Sequence, residues 1–298
     1  MTTERPGAWF RRKRRVQTAR GVVVAAGALG TNKLLANCRH NDSLPKLSDR
    51  LGELVRTNSE VILAVTAPDD SVDYTKRVAI TSSIYPDPYT HIETVVYGHS
   101  GGAIKGLYTL LTGEGTRVTR PLRLFATLLR HPDRLFKLLT SPGWSRRTII
   151  LLVMQTLDNA IALRPKPKRR GGVRLSTEQD PEKPIPTFIP VANQAAEFFA
   201  ERMGGIAQSS VGEALWNVPT TAHILGGAVI GADPSQGVVD ADQHVFGYRN
   251  LLVCDGAAVP ANPGVNPSLT ITALAEHAMS RIPAKSASAA DDTVAAAA

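Results

Sequence analysis

His223 stands where a histidine could do proton-transfer chemistry. It lies in the stretch "TTAHILGGAVIG", residues 220–231, three residues ahead of the pair Gly226–Gly227. Paired glycines cost backbone entropy on folding, so they indicate a sharp turn or a close approach of the backbone. An imidazole held beside such a backbone can act as a general base near neutral pH. An isolated His-x-x-Gly-Gly is more often an ordinary loop, so the choice depends on the segments that follow.

A second polar group, Asn266, opens a predicted helix over residues 266–282. Asn266 is a favoured N-cap, and Pro267 suits the first helical position because its missing N–H costs nothing there. The helix follows a buried strand, "NLLVCDG", that ends in Asp255 and Gly256. Free N–H groups and the positive dipole end of such a helix favour an anionic or electron-accepting ligand.

A strand–turn–helix unit is predicted near the start of the chain, in residues 21–39. The β-branched run Val22–Val24 is typical of a strand buried on both faces, Gly27 and Gly30 make the turn, and Thr31 is the predicted N-cap. Sheets of this class bind ligands at the carboxyl ends of their strands. The spacing is G-x-x-G, however, and the dinucleotide fingerprint G-x-G-x-x-G occurs nowhere in the sequence.

Strand-like and helical segments lie between these two regions. Three apolar runs within residues 58–100 predict an antiparallel sheet, and residues 104–164 have a helical period with many basic residues. A basic amphipathic helical pair suits a packed surface, a pocket cover or a lipid surface. Residues 164–190 predict a loop or edge hairpin, and residues 193–205 a short helix that ends at Gly204.

Composition excludes several classes of protein. The chain of 298 residues is 43% hydrophobic, which indicates a globular protein, and only 5% aromatic, which argues against a stacking surface for single-stranded nucleic acid. Much of the net charge of +8 lies in two basic runs, residues 11–15 and 166–174, that are typical of solvated loops, so no nucleic-acid partner is expected. Cys38 and Cys254 are expected to be reduced thiols of a cytoplasmic protein. No metal is predicted, because these histidines lack ligand spacing: His91, His99, His244 and His277.

The motifs together resemble one family of flavoenzymes. "AHILGG…GYRNLLVCDGAAVPANPGVNPSLTITALAEH" closely resembles the carboxyl end of the glucose–methanol–choline (GMC) flavin oxidoreductases, nearest to the cholesterol oxidase branch. "VVVAAGALGTNKLL" is similar to the strand–turn–helix that borders FAD in the family, and "WSRRTIILLVMQTLDNAI" to a segment of the actinobacterial members. The resemblance covers residues 16–283.

The resemblance implies a set of site residues. His223 matches the active-site histidine of the family, Asn266 its active-site asparagine beside the flavin ring, and Glu93 the glutamate that acts as a base in sterol isomerisation. Ile224 replaces the usual proline after the histidine, and Ala228 replaces a cysteine; the first change is expected to loosen the loop. The implied FAD contacts are Gly27, Gly30, Asp255, Gly256, Asn266 and Pro267.

The fold and function follow as expectations from that resemblance. The expected α/β fold has a partial FAD-binding, Rossmann-like domain (residues 1–55 and 216–283) interleaved with an α+β antiparallel-sheet substrate domain (56–215). The substrate domain carries a helical insertion at residues 104–164, and a disordered tail follows at 284–298. The implied activity is FAD-dependent oxidation of a sterol-like 3β-hydroxyl to a ketone by hydride transfer to flavin, with double-bond isomerisation. The expected localisation is cytoplasmic, with a peripheral membrane contact.

Two alternatives stay open at this point. The amino-terminal βαβ unit of the family, whose glycines hold the FAD pyrophosphate, has no counterpart in this sequence, so a separate amino-terminal FAD-binding portion is an expected partner alongside a hydrophobic alcohol. One alternative is therefore a truncated, inactive remnant of such an enzyme. The other is a non-catalytic lipid-surface binding module built from the helices of residues 104–164.

Overall fold

The computed structural model describes residues 2–4, 14–140, 142–169 and 171–283. The predicted disordered tail at 284–298 and most of the basic run at 11–15 lie outside the described residues. The strands are β1 (Thr2–Glu4), β2 (Arg14–Val16), β3 (Val22–Val24), β4 (Val61–Thr66), β5 (Ile80–Asp87), β6 (Thr90–Val95), β7 (Tyr108–Leu110), β8 (Thr148–Gln155), β9 (Ile161–Pro167), β10 (Val173–Gln179), β11 (Ile206–Ser210) and β12 (Leu251–Val253). The helices are α1 (Gly27–His40), α2 (Thr119–Arg130), α3 (Pro132–Thr140), α4 (Trp144–Arg147), α5 (Pro190–Met203), α6 (Val211–Trp216) and α7 (Ser268–Ser280).

A six-stranded antiparallel sheet forms the larger layer, in the order β5-β6-β8-β4-β11-β7. Its strands alternate their side chains between two faces, as the strand geometry requires. Val61, Leu63 and Val65 of β4 pack with the buried alanines of α5 on one face, whereas Ala64 joins Trp144 of α4 on the other. The antiparallel sheet predicted for residues 58–100 is confirmed by β4, β5 and β6.

Residues 148–155 depart from the predicted helical period of 104–164. They form β8, which lies between β6 and β4 and is buried along all but its last residue. Periodicity cannot distinguish a buried strand from a buried helix in a continuous apolar run such as "TIILLVM". This run forms a strand because it pairs with a neighbouring strand on each side. The helical prediction holds for α2, α3 and α4 within the same stretch.

The second layer is built on the parallel pair β3 and β12, in which Val22, Val23 and Val24 lie opposite Leu251, Leu252 and Val253. Helix α1 follows β3, while a short 3-10 turn and then α7 follow β12. Valine and alanine side chains of residues 228–258 close a core with α1. The carboxyl ends of these two parallel strands therefore meet at one edge. Together with the antiparallel six-stranded sheet, this layer confirms the predicted α/β fold class. The domain boundaries stay predictions.

Two helix starts differ from the prediction. Helix α1 begins at Gly27, so Gly30 and Thr31 lie inside it, and the buried Thr31 hydroxyl donates to Asp255 instead of capping the helix. Helix α7 begins at Ser268 with Pro267 as its N-cap residue, and Asn266 caps nothing. In both cases the side chain could have capped its own helix, but it binds a carboxylate that is distant in sequence. A tertiary hydrogen bond here overrides the local capping preference.

Candidate active site

The imidazole of His223 is held by a buried carboxylate, that of Glu60. His223 Nδ1 bonds Glu60 Oε1, and the backbone N–H of Ala222 donates to Glu60 Oε2 over 2.5 Å. Glu60 is 0% exposed, whereas the His223 side chain keeps 18% of its surface accessible. A carboxylate only accepts hydrogen bonds, so Nδ1 carries the proton and Nε2 is the free, basic nitrogen of the neutral ring.

A second carboxylate, Glu93, holds Asn266. The Nδ2 amide of Asn266 donates to both oxygens of Glu93, over 2.8 and 2.7 Å, across 173 residues of sequence. Glu93 lies on β6 and is 6% exposed. The side chain of Asn266 is therefore fixed in orientation, with its Oδ1 turned away from the carboxylate.

The carboxylates of the two pairs lie two strands apart in the six-stranded sheet. Glu93 lies opposite Leu152 of β8, which lies opposite Ile62 of β4 in turn, and Glu60 precedes Ile62 by two residues. Strands lie about 4.8 Å apart, so β6 and β4 are separated by roughly 10 Å across β8. The carboxylates that hold an imidazole and a carboxamide, distant along the chain, are therefore neighbours across the sheet.

Residues 56–60, hereafter the 56–60 segment, contact both of the polypeptide stretches that carry these groups. Arg56 and Leu225 exchange two backbone hydrogen bonds of 2.9 Å, which ties the segment to the stretch after His223. Asn58 Oδ1 accepts from the N–H of Gly264 over 2.8 Å, and Asn58 Nδ2 donates to the carbonyl of Val265 over 3.0 Å. One short segment therefore positions His223 and the loop that ends at Asn266.

The Gly226–Gly227 pair allows close contact within the chain itself. Both residues have positive φ, 75° and 87°. A Cβ atom on Gly226 would lie 2.1 Å from the carbonyl oxygen of Leu54, and one on Gly227 would lie 2.3 Å from the Asn32 amide. The loosening expected from Ile224 is opposed here, since the stretch is fixed on both sides by Glu60 and by the backbone pairing of Arg56.

Asp255 joins the two strand–turn units. Its Oδ2 accepts from the N–H of Gly27 over 3.0 Å and from the Thr31 hydroxyl over 2.5 Å, while its Oδ1 accepts from Ala257 N–H over 2.8 Å. The carboxylate thus connects the first turn of α1 to the turn after β12. These bonds give Asp255 a structural task; its predicted cofactor contact, and that of Gly256, stay predictions.

Two features at the carboxyl ends of β3 and β12 fit an anionic cofactor. Gly27 has φ of 71° and nothing within 4 Å of the position a Cβ would take, so the backbone there is open to a ligand. Gly30, by contrast, packs on Ala26 at 3.0 Å. The N–H of Gly27 at the start of α1 is taken by Asp255, whereas α7 has no side-chain cap, so the N–H groups of its first turn can face a phosphate or a reduced flavin ring.

Sequence reasoning missed three residues of this arrangement. Glu60 and Asn58 lie in an unremarkable polar stretch, "RTNSE", and their partners are far away in sequence, so no local pattern could reveal them. His91, for which the sequence predicts no metal-ligand role, is 5% exposed, lies 3.6 Å from Glu93 and stacks on Tyr85. Within the described residues no cluster of three potential metal ligands occurs, and no helix there has the length and apolar character to span a membrane.

Comparison with known proteins places these residues in a family context. The sequence model of the GMC oxidoreductase family matches residues 167–275. The chain is 47% identical over 289 residues to a cholesterol oxidase of Mycobacterium tuberculosis, covering 95% of this chain and 50% of that protein. It is 42% identical over 287 residues to a cholesterol oxidase of Acinetobacter baumannii, covering 96% and 51%. The chain thus spans about half the length of these relatives.

The fold agrees with a solved structure of low sequence similarity. Pyridoxine 4-oxidase from "Mesorbium loti" superposes with a TM-score of 0.50 at 15% identity, covering 94% of this chain and 54% of that one. Such a likeness concerns the fold alone. Joined to the family match and to the two cholesterol oxidase alignments, it leads to one conclusion: the chain belongs to the GMC oxidoreductase family and corresponds to the carboxyl-terminal portion of its cholesterol oxidase-like members.

Proposed function

We propose that this chain supplies the catalytic groups of an FAD-dependent alcohol oxidoreductase that acts on a sterol-like secondary alcohol. The observation that carries the proposal is the pairing of His223 with buried Glu60 beside the pairing of Asn266 with buried Glu93. The first pair can accept a proton, and the second can orient an oxygen.

His223 is the expected base for the substrate hydroxyl. With its Nδ1–H donated to Glu60, the free Nε2 is basic and partly accessible, as a group that removes a hydroxyl proton must be. Glu60 stabilises the imidazolium that forms after proton transfer, and it holds the ring orientation throughout. This is the carboxylate–histidine arrangement that other enzymes use for the same purpose.

Asn266 and Glu93 are the expected orienting and proton-shuttling groups. Asn266 offers its Oδ1 to a substrate or cofactor edge, because its Nδ2 is occupied by Glu93. Glu93 is buried and lies beside His91, so it can take a proton from one carbon of a steroid and return it to another. That transfer moves a double bond into conjugation with the new ketone, the isomerisation implied by the family resemblance.

FAD is the proposed cofactor, and its hydride acceptance would supply the redox chemistry. The residues that would hold it are the open turn at Gly27, the uncapped start of α7 after Pro267, and Asn266. The start of α7 offers backbone N–H donors, and the nearby carboxylates of Asp255 and Glu93 are already hydrogen-bonded within the chain. The cholesterol oxidases to which the chain is similar favour a sterol among secondary alcohols.

The test is to purify the whole chain, titrate it with FAD, and follow flavin absorbance and oxidation of a 3β-hydroxysteroid. We expect bound flavin and turnover, with His223→Asn lowering kcat by about 100-fold or more and Glu60→Gln by about 10-fold to 100-fold. Flavin content should change little in either variant, and Glu197→Gln, an exposed control, should match the parent chain.

Three results would contradict the proposal. A chain that binds no FAD at any concentration, alone or mixed with an amino-terminal FAD-binding portion, favours the inactive remnant. Equal loss of flavin and of turnover in His223→Asn assigns the histidine to folding. An unchanged pH profile of kcat in Glu60→Gln removes Glu60 from the proton transfer.

A further inference from the structure

We infer that His91 is a positioning residue for Glu93: its Nδ1–H faces Oε1, which leaves Oε2 as the oxygen that carries a shuttled proton. The inference starts from the buried imidazole of His91, which is 5% exposed. Neither ring nitrogen has a hydrogen-bond partner within the described part of the chain. The inference rests on the proposed isomerisation, and it names the donor and the oxygen that this step uses.

The sheet places His91 on the same face as Glu93. The two residues are two positions apart on β6, and side chains at that spacing share one face of a sheet. Ile92, between them, packs with α5 on the opposite face. His91 also lies opposite buried Met154 of β8. The imidazole therefore has an apolar neighbour across the sheet and a carboxylate along its own strand.

The ring of Tyr85 fixes the plane of the imidazole. The two ring centroids lie 4.5 Å apart with an interplanar angle of 16°, which is a stacked arrangement. The pairing of β5 with β6 is irregular between Ile84 and Asp87, and an irregularity of this kind redirects the side chains within it. Because stacking uses the face of the imidazole, the edge that carries Nδ1 stays directed at Glu93.

Electrostatics decides which nitrogen of His91 carries the proton. Nδ1 lies 3.6 Å from Glu93 Oε1. A neutral imidazole has one N–H and one lone pair, and a lone pair on Nδ1 would be repelled by the buried carboxylate. The Nδ1–H tautomer replaces this repulsion with attraction. A shift of about 0.5 Å closes the hydrogen bond, and such bonds tighten in an active site when the substrate binds.

The acceptor positions of Glu93 distinguish its two oxygens. Each carboxylate oxygen has two acceptor positions, and the Asn266 amide uses one on each oxygen. His91 uses the second position on Oε1, so only Oε2 keeps a free position. Oε2 takes the proton from one carbon of a β,γ-unsaturated ketone, and the C–H electron pair passes into the dienolate. The same oxygen then returns the proton to a second carbon, and no oxidant is consumed.

The first test determines the tautomer and needs neither flavin nor turnover. The whole chain is labelled with ¹⁵N at histidine, and the His91 signals are those that His91→Phe removes. The ¹⁵N shifts distinguish a protonated ring nitrogen from an unprotonated one. We expect the Nδ1–H tautomer in the parent chain and a population shifted toward Nε2–H in Glu93→Gln, because the selecting charge is gone. An Nε2–H ring in the parent, or an unchanged tautomer in Glu93→Gln, overturns the inference.

The second test supplies a β,γ-unsaturated ketosteroid to the chain with FAD, so that isomerisation is measured without oxidation. His91→Phe keeps a ring to stack on Tyr85 but loses the donor, whereas His91→Asn keeps an N–H near the Nδ1 position and loses the ring. We expect kcat of isomerisation to fall about tenfold in His91→Phe with little change in KM, and to stay within about threefold of the parent in His91→Asn. A role in packing alone predicts the reverse order.

The matched control is His99→Phe, the same change at an exposed histidine, which should isomerise as the parent does. Thermal unfolding verifies the fold: His91→Phe should unfold at or above the temperature of the parent, because it removes an unsatisfied buried polar group. Full isomerisation in His91→Phe, or an equal loss in both His91 variants, overturns the inference. A parent chain that does not isomerise the ketone contradicts the proposed function instead, and the tautomer result then upholds or overturns the pairing of His91 with Glu93.

Discussion

At the scale of single residues, two buried carboxylates hold the side chains proposed for the chemistry. Glu60 and Glu93 are 0% and 6% exposed, and each holds a group that is more accessible than itself. Buried charges are stable only where hydrogen bonds compensate for lost hydration, so each carboxylate depends on its partner as much as the partner depends on it. Because each partner depends on the other, the interaction can be tested by exchanging the hydrogen-bond donor and the carboxylate between the two residues of a pair.

Asn266→Asp places a second carboxylate against Glu93. Two carboxylates at such a distance cannot both stay ionised, so we expect a destabilisation of about 2 kcal/mol at neutral pH. Combining Asn266→Asp with Glu93→Gln reverses donor and acceptor and should recover more than half of that loss. Thermal unfolding of the four proteins measures the coupling; additive effects would show that the two side chains do not interact.

At the scale of elements, the sequence predicted what depends on local pattern. The strand runs of residues 58–100, the helix that ends at Gly204 and the edge hairpin of β9 and β10 were all predicted correctly. Alternation, a left-handed glycine and clustered prolines are signals carried by neighbours in the chain. The strand β8 was assigned as helix because its burial on both faces removes any period from the sequence.

The candidate site was less accessible to the same reasoning. His223, Asn266 and Glu93 were named through resemblance, and the structure gives each a partner that the resemblance did not supply. Glu60 is 163 residues from its histidine, and a contact at that separation leaves no trace in spacing or composition. The prediction that Thr31 and Asn266 cap helices is wrong for the same kind of reason. Each side chain binds a carboxylate that only the folded chain brings near it.

The stretch after His223 offers a prediction about backbone fit. Gly226→Ala would place a Cβ 2.1 Å from the Leu54 carbonyl oxygen at a φ of 75°. Overpacking against backbone and a left-handed conformation together should destabilise the fold by about 3 kcal/mol. Gly102→Ala, where a Cβ meets nothing within 4 Å, is the control and should change stability by less than about 0.5 kcal/mol. Denaturant unfolding is the measurement, and similar losses in both variants would contradict the steric argument.

At the scale of the whole molecule, an ion pair connects helix α2 to helix α6. Arg120 of α2 lies 3.8 Å from Glu213 of α6, and both side chains are buried. Arg120 also donates to the carbonyl of Thr187 and to Asn217 Oδ1. Burial raises the pKa of Glu213 to about 7, which outweighs the opposing effect of Arg120.

This pKa predicts a pH-dependent stability. The unfolded chain loses the Glu213 proton near 4.5, whereas the folded chain keeps it to about 7, so the unfolded state binds fewer protons in between and stability falls as pH rises through 7. From pH 6 to pH 8 the unfolding equilibrium constant should rise about tenfold from this group, or about 1.4 kcal/mol. Urea unfolding across that range is the measurement. Glu213→Gln should flatten the profile and Glu197→Gln should not; an identical slope in both would contradict the assignment.

The 56–60 segment has a consequence for motion. Because it holds both the His223 stretch and the loop before Asn266, a displacement of its backbone carries the imidazole and the carboxamide in the same direction. The positions of the two side chains then fluctuate together and not independently. The distance between them is preserved, while both shift relative to any bound ligand. Thermal disorder in these five residues should therefore disable the whole centre in a single concerted step.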